Sequence, residues 1–483
     1  MKAIKNIMIA LSGIALLASC DMDKFFELDR PESNPWLSVD DLEYSVADPY
    51  NTLFQNPNWQ APIGIIPYYQ ELVADLSTVN PQGAYEQEAL YWYPRQMSTF
   101  DVTGQQFEKT FSILYRSVTG ATSPLTYIEE KEKKGEPVFA NMTENDKKTL
   151  ARQTGELYFM RGYTYWLISR AFVAPYDPAG GEGNNRKFIP LINRLDYSQE
   201  SARNPYMGTV KEVYDQMLSD FAKAKSLMPE DYFVRGRANK FSAAMMLMRV
   251  KWLMGDKDGA LEEADYVITK AEAGVAPFDL TEEPIVAFNR NAEQQYTVDP
   301  VSKEVMFECA FTESNQGNNV AIPLARMCKT GIYNFKSKTF DASNKLWLEG
   351  ARGSQNWQHG GWACAYWNPR LIKYIGWAVT DDPMDLTNYV PSAEALADKR
   401  FTQLHYFLKN YTDGGDKTIH EMAYNKTKWN AFWNDKYYRA PYGKYSQVPL
   451  IRLAEAYLTR ATLVLSKNAS QALGDVNKIR QRA

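Results

Sequence analysis

Apolar residues recur every three to four positions in several separate stretches of this 483-residue chain. Such spacing places those side chains on one face of a helix. The clearest stretch covers residues 149–171, and the following Pro175 marks its end because proline lacks the N–H that a helix needs. The same pattern predicts further helices at residues 38–53, 209–228, 240–253, 260–273, 450–465 and 471–482.

Two pairs of these predicted helices are joined by short connections. Gly255 to Gly259 separate the helices at 240–253 and 260–273, and alanines on both helices allow close approach. Asn468 links the last two predicted helices in the same way. Helical hairpins of this kind are the unit of tetratricopeptide-type stacking, although no strict period of about 34 residues recurs. We therefore predict a mostly α fold on a scaffold of tetratricopeptide-like hairpins, with little β structure.

A long segment between the helical blocks, residues 274–449, lacks helical periodicity. Glu304 to Glu308 alternate like a short strand, and the remainder is rich in Gly, Asn, Trp and Tyr. Loops of this length usually carry a function, so we expect ligand binding here. The final predicted helix reaches Ala483 without a glycine cap or a following proline, so we expect the natural chain to continue.

The first twenty residues are typical of a secretion signal that ends in a lipidated cysteine. Two early lysines precede an apolar stretch, and Leu17-Ala18-Ser19-Cys20 offers a small-residue cleavage site. At about 1.5 Å per residue the apolar stretch covers only about half of a ~30 Å hydrocarbon core. We predict cleavage before Cys20 and acylation of Cys20, as in bacterial lipoproteins. An ordinary secretory signal with an incidental cysteine is the alternative.

These patterns divide the chain into successive parts. The mature chain, residues 20–483, is expected to pack as one domain. The parts are a signal peptide at 1–19, the lipidated cysteine and tether at 20–37, an N-terminal helical region at 38–273, the loop-rich ligand-binding region at 274–449 and a C-terminal helical hairpin at 450–483.

Charge and composition exclude several classes of function. The formal net charge is −4 and the basic residues form no cluster, so a nucleic acid partner is not expected. With only three histidines, a multi-histidine metal site is not expected either, and the chain has no phosphate-binding glycine loop. We predict no enzyme activity, no metal and no cofactor. Cys309, Cys328 and Cys364 leave open one disulfide with a free thiol, or three buried thiols.

Aromatic residues make up 13% of a hydrophilic chain whose mean hydropathy is −0.46, which suggests exposed rings. Sugar rings present CH groups on one face, so flat Trp and Tyr rings can stack on them while amide and charged groups bind the hydroxyls. Tyr91-Trp92-Tyr93 form one candidate glycan platform, with loop packing against the scaffold as the alternative. A second candidate cluster lies among glycines and asparagines and comprises Asn356, Trp357, Trp362, Tyr366, Trp367, Arg370 and Trp377.

Four other tryptophans are assigned mainly to packing. Trp429 and Trp433 have helical spacing, which favours a place in the core over a third ligand patch. Trp166 and Trp252 lie within predicted scaffold helices, and we expect both to pack against neighbouring helices.

The ordered set of segments resembles the SusD/RagB family of surface nutrient-binding lipoproteins over essentially the whole chain. No single motif is diagnostic, but the order together with the lipidation site is specific. The segments are Cys20, Asp40-Asp41-Leu42, residues 156–163 (ELYFMRGY), 213–224, 243–264, 304–307 (EVMF), 452–458 (RLAEAYL) and 473–483 (LGDVNKIRQRA). One departure is Ala461-Thr462-Leu463, where the family commonly has a second glutamate.

The resemblance implies a helical scaffold of four tetratricopeptide-like hairpins, loops that carry the ligand site, and no catalysis. The place of Tyr91 to Tyr93 in the chain resembles the region where members of this family often have their binding aromatics. The implied function is capture of oligosaccharides at the outer-membrane surface and their delivery to a SusC-like TonB-dependent transporter, with the lipid anchor holding the protein to the membrane. A RagB-like protein that binds peptides for uptake is the alternative.

Overall fold

The computed structural model describes residues 36–54, 62–74, 76–79, 105–196, 198–288, 302–310, 333–334, 339–340, 348–351, 365–382, 384–385, 388–412, 428–434, 436 and 448–482. Most of these residues are helical. The helices are α1 (Val39–Phe54), α2 (Pro62–Val73), α3 (Gln105–Lys134), α4 (Glu144–Phe172), α5 (Gln199–Arg203), α6 (Val210–Leu227), α7 (Lys240–Met254), α8 (Lys257–Glu272), α9 (Pro369–Tyr374), α10 (Ala393–Ala397), α11 (Lys399–Leu404), α12 (Leu453–Val464) and α13 (Ala469–Arg480).

The described strands are short and form small sheets. They are β1 (Ser77–Val79), β2 (Lys187–Pro190), β3 (Met207–Thr209), β4 (Val305–Cys309), β5 (Tyr333–Asn334), β6 (Thr339–Phe340), β7 (Leu348–Ala351), β8 (Ala365–Trp367), β9 (Ala378–Val379), β10 (Val390–Pro391), β11 (His405–Thr412), β12 (Lys428–Asn434) and β13 (Val448–Arg452). The mostly helical fold with little β structure is thus confirmed.

Most of the predicted helices exist, and local chemistry explains their ends. The predicted start of α4 at Thr149 was late, because Thr143 and Asp146 form a capping box before the apolar stripe begins. α7 ends at Gly255, whose φ of +84° is the left-handed conformation that glycine adopts without strain. α1 continues through Pro49, so the proline does not end the helix as it can elsewhere.

The clearest differences from the sequence prediction lie in four elements. α2 and α3 were not predicted, and α3 carries Pro124 within its 30 residues. The helix predicted at 450–465 begins only at Leu453, because Val448 to Arg452 form β13 and pair with the predicted strand β4. The helical prediction for Trp429 and Trp433 was wrong, since both lie on β12.

α4 lies at the centre of the main hydrophobic core and packs against α1, α3 and α6. At Gly162, an added Cβ atom would lie 3.0 Å from the Phe221 ring, so the absence of a side chain permits the close approach of α4 and α6. The Phe307 ring of β4 lies 5.0 Å from Phe159 on α4. Strand β4 therefore closes the core, which α7 and α12 also share.

Scaffold helices also pack in sequence, with α7 against α8, α8 against α12 and α12 against α13. The short connections predicted for two hairpins are confirmed by these contacts. Their tetratricopeptide-like character remains a prediction, as do the domain boundaries. Among the described helices, none has both the length and the apolar composition that a bilayer crossing requires.

A smaller core lies within the segment that was expected to be irregular. We call it the second core, defined by the buried residues Ile372, Ala378, Tyr389, Ala395, Phe401, Phe407 and Phe432. It is supported by a sheet in which β11 pairs with β12 in antiparallel and with β7 in parallel orientation. Part of the predicted loop region is therefore folded around its own aromatic centre.

Candidate functional site

Strands β1 and β8 bring two distant parts of the chain together. They pair in antiparallel orientation, with Thr78 opposite Tyr366 and Val79 opposite Ala365. The end of β1 therefore lies beside the start of β8. The chain that follows Val79 leads to Tyr91, Trp92 and Tyr93, and the chain that precedes Ala365 contains Asn356, Trp357 and Trp362. These six residues lie outside the described residues, as do Cys20 and the side chain of Tyr366.

This strand pair, which we call the β1–β8 junction, is anchored on both sides. The backbone N–H of Asn368 donates to the carbonyl of Leu76 at 3.0 Å, which extends the pairing by one bond. The Ser77 hydroxyl donates to Glu71 of α2 at 3.1 Å. Burial raises the pKa of the Glu71 carboxyl, and the charge of Lys436 offsets only part of that rise. The junction is thus fixed to the scaffold helix α2.

Two of the candidate ligand residues, Trp367 and Trp377, lie half-buried against the second core. Both rings make edge contacts with His405, at centroid distances of 5.1 and 5.0 Å. Trp377 also contacts Phe401 at 5.4 Å. The indole N–H of Trp367 has no hydrogen-bond partner among the described residues. These contacts account for the placement of both rings, and ligand contact by either residue remains a prediction.

Arg370 is exposed in the first turn of α9, directly after the β1–β8 junction. Pro369 occupies the start of this helix, and the Asn368 side chain accepts a hydrogen bond from the backbone N–H of Arg370 at 3.0 Å. The cap fixes the backbone while the guanidinium points away from the core. Arg370 is therefore positioned beside the β1–β8 junction, and its side chain is exposed.

A separate cleft of about 480 Å³ opens on the scaffold, between α2, α4, α7 and β13. We call it the scaffold cleft, and Trp166 and Trp252 both line it. Trp166 contacts the main core with part of its ring, as predicted, but Trp252 is 37% exposed and its expected packing role is incomplete. Sequence reasoning missed this site. The available signal was an arginine four residues from Trp166 and another three residues from Trp252, on the same helix faces.

Comparisons with known proteins agree with this architecture. A family described as "Starch-binding associating with outer membrane" (SusD-like) matches residues 55–251. The chain is 25% identical over 352 residues to SusD-like protein P2 of Formosa agariphila, a match that covers 71% of this chain. It spans only 58% of the length of that curated relative.

Solved structures of the same fold cover nearly the whole chain. A putative sugar binding protein from Bacteroides vulgatus has a TM-score of 0.61 at 17% identity, over 94% of this chain and 79% of the other. A SusD superfamily protein from Bacteroides thetaiotaomicron also has a TM-score of 0.61 at 17% identity, over 92% and 80%. A laminarin binding SusD-like protein has a TM-score of 0.59 at 14% identity, over 92% and 84%. With the matched family and the order of helices, these results support the resemblance of the chain to the SusD/RagB family, whose fold it shares.

Proposed function

We propose that this protein is a non-catalytic glycan-binding lipoprotein of the outer-membrane surface. It captures oligosaccharides and delivers them to a SusC-like TonB-dependent transporter. The matching family is described as starch-binding and associated with the outer membrane, and one structure of the same fold belongs to a laminarin-binding protein. Both descriptions concern relatives, and they support a carbohydrate ligand for this chain.

The β1–β8 junction is the observation that carries this proposal. It places the attachment points of both candidate aromatic segments at one end of a single strand pair. In the sequence, Trp362 precedes Ala365 by three residues and Trp92 follows Val79 by thirteen. The chain segments that carry the two aromatic clusters both join this junction, and we propose that the clusters contact one ligand. Arg370 is exposed beside the same junction and can donate hydrogen bonds to sugar hydroxyls.

The proposed binding needs ring stacking and hydrogen bonds and no bond cleavage. Weak, repeated contacts suit a protein that must release its ligand to a transporter. Affinities between roughly millimolar and micromolar, about 4–8 kcal/mol, fit this role.

Membrane attachment is proposed to run through Cys20. Each buried CH₂ of an acyl chain contributes about 0.8 kcal/mol, so several chains would anchor the protein durably. The described fold begins at Trp36, whose indole N–H donates to Ser45 at 2.8 Å. The tether from Cys20 to Trp36 can therefore extend about 50 Å. A Cys20→Ser variant should lose its acyl mass and appear in the soluble fraction, whereas acylated Cys20→Ser protein would contradict the anchor.

Calorimetry against a panel of polysaccharides tests the ligand class. Trp92→Ala and Trp362→Ala should each weaken the preferred glycan about tenfold, because stacking partners are lost. Tyr44→Ala is the control, since Tyr44 is an aromatic residue 83% exposed on α1. Unchanged binding in both tryptophan variants would overturn the site. Recovery of peptides and no saccharide from the purified protein would favour the RagB-like alternative.

A further inference from the structure

Three scaffold helices each turn one face toward the scaffold cleft. On α4 the lining residues fall at positions i, i+3, i+4 and i+7, which lie on one side of a helix. The same spacing on α2 brings Gln70 to the cleft, and α7 contributes Arg249 and Trp252 from one of its sides. Its volume of about 480 Å³ falls within the roughly 300–1,000 Å³ range of small-molecule sites. The cleft is thus large enough for a short oligomer.

Charge in the cleft is positive, although the chain as a whole carries a net charge of −4. Among the described residues that line the cleft, two arginines and one glutamate are charged, which leaves one positive charge. Arg249 is neutralised by Glu455, with which it forms two hydrogen bonds of 2.6 Å. The remaining positive charge belongs to Arg170, which makes no ion pair within the described part of the chain.

Arg170 is held in position while its donors remain available. Its guanidinium lies 5.6 Å from the centre of the Trp166 ring, and its carbonyl accepts a hydrogen bond from Gln70 at 3.1 Å. A guanidinium is planar, and its N–H groups point outward in that plane. That geometry matches the two oxygens of a carboxylate.

We propose that the scaffold cleft is a second saccharide site, which binds a sugar that carries a carboxylate. Arg170 binds the carboxylate and the exposed indole of Trp252 supports the face of a neighbouring sugar ring. The site is separate from the β1–β8 junction and uses none of its residues. It extends the proposed glycan-binding function to acidic sugars, and its test can fail independently of that function.

The backbone in the cleft favours a saccharide over a peptide strand. A peptide that adds to a sheet needs free N–H and C=O groups along the strand edge. In β13, Pro449 has no N–H to donate. The carbonyl of Leu450 already accepts a hydrogen bond from Arg249 at 3.1 Å. A ligand of β13 would therefore find little backbone pairing, whereas sugar hydroxyls and a carboxylate need side-chain partners.

Titration calorimetry on the full mature protein tests this site with defined probes. The probes are trimers of galacturonate and mannuronate, with maltotriose as the neutral trimer and triaspartate as the acidic peptide. Arg170→Gln and Trp252→Ala should each weaken binding of a uronate trimer about tenfold or more, because a charge-assisted contact or a ring platform is lost. Arg116→Gln is the matched control, since Arg116 is an exposed helix arginine outside the cleft. It should bind like the wild type.

Each outcome decides the proposal. Absence of binding by both uronates, or equal affinity in the wild type and Arg170→Gln, would overturn it. Tighter, Arg170-dependent binding of triaspartate would replace the saccharide with an acidic peptide. If Trp362→Ala abolishes glycan binding and Arg170→Gln changes nothing, the cleft proposal fails and the junction site stands. If only Arg170→Gln and Trp252→Ala weaken glycan binding, the junction site fails and the cleft proposal stands.

Discussion

The scaffold and the second core use tryptophan in opposite ways. Trp166 and Trp252 lie on long helices, yet both line an open cleft, and Trp252 is 37% exposed. Trp367 and Trp377 belong to a glycine-rich part of the sequence, yet both pack half-buried around His405. The exposure of a tryptophan is therefore set by whether it lies on the side of its helix or strand that faces a core. The kind of element or the neighbouring glycines do not decide its exposure.

The two regions also differ in what stabilises them. The scaffold buries ion pairs, such as Arg161 with Asp220, whose side chains are 2% and 0% exposed. The second core relies on ring contacts, with Tyr389 stacked on Phe432 at 5.5 Å and Phe407 at 4.8 Å from Phe432. We therefore expect the scaffold to lose most stability when one buried charge is removed. The second core should lose most stability when one aromatic ring is removed.

The largest effect is expected for Asp220→Asn. The guanidinium of Arg161 binds both Asp220 oxygens, at 2.7 and 3.0 Å, and the substitution leaves that cation buried without its counter-charge. We expect a loss of about 3–5 kcal/mol in the free energy of unfolding, measured by urea denaturation. Asp215→Asn, which breaks an exposed pair with Lys211, should cost less than about 0.5 kcal/mol. Similar losses in the two variants would contradict the structural role of the buried pair.

Trp377→Ala tests whether the second core depends on aromatic packing. The ring contacts Phe401 and His405, and its loss should lower the free energy of unfolding by about 2–3 kcal/mol, less than for a fully buried tryptophan. Hydrogen exchange should accelerate in β11 and the second core while α4 stays protected. Unchanged stability with lost glycan affinity would instead make Trp377 a ligand contact, as its sequence context predicts.

Replacement of two glycines in the helical hairpins by alanine should change the free energy of unfolding in opposite directions. Gly255→Ala should cost about 1–2 kcal/mol, because φ is +84° and the new Cβ atom would lie 2.8 Å from Pro178. Gly474→Ala should stabilise α13 by about 0.5–1 kcal/mol, since no atom lies within 4 Å of the new methyl group. Thermal and urea denaturation report both changes. If both substitutions changed stability in the same direction, the left-handed conformation of Gly255 would not define the end of α7.

A further modest effect concerns the pH dependence of the scaffold. Burial raises the pKa of Glu43, but hydrogen bonds from Arg152 and Gln153 and the charge of Arg237 outweigh it, so the pKa lies below its ordinary value of 4.5. A lowered pKa in the folded state stabilises the fold at neutral pH, and this contribution is lost as the pH falls through that lowered value.

Glu43→Gln should therefore cost about 1 kcal/mol at pH 7, a modest figure because Glu43 is partly exposed. The difference from the wild type should persist down to about pH 4.5 and shrink at lower pH. Urea denaturation between pH 3 and 7 measures it, and a difference that grows as the pH falls would be opposite to the expectation.

Local patterns predicted the scaffold well and the candidate sites only in part. The capping box at Thr209 and the apolar stripe behind it define α6 within two residues of the prediction. α3 was missed because Gly120 and Pro124 interrupt its sequence, although the packed helix tolerates both. The helix predicted from residue 450 begins only at Leu453, because the residues before it pair with β4 as strand β13 and this pairing outweighs the helical spacing.

The amino-acid sequence by itself determined most of the scaffold helices, the capping residues at several of their ends, and the short loops that join two pairs of neighbours. These properties depend on residues only a few positions apart. Tertiary structure decided that Val79 lies beside Ala365, that Arg161 meets Asp220 and that Trp252 faces solvent. Such contacts join residues far apart in the chain, and their partners are selected by the packing of whole helices and strands, which periodicity within one segment does not specify.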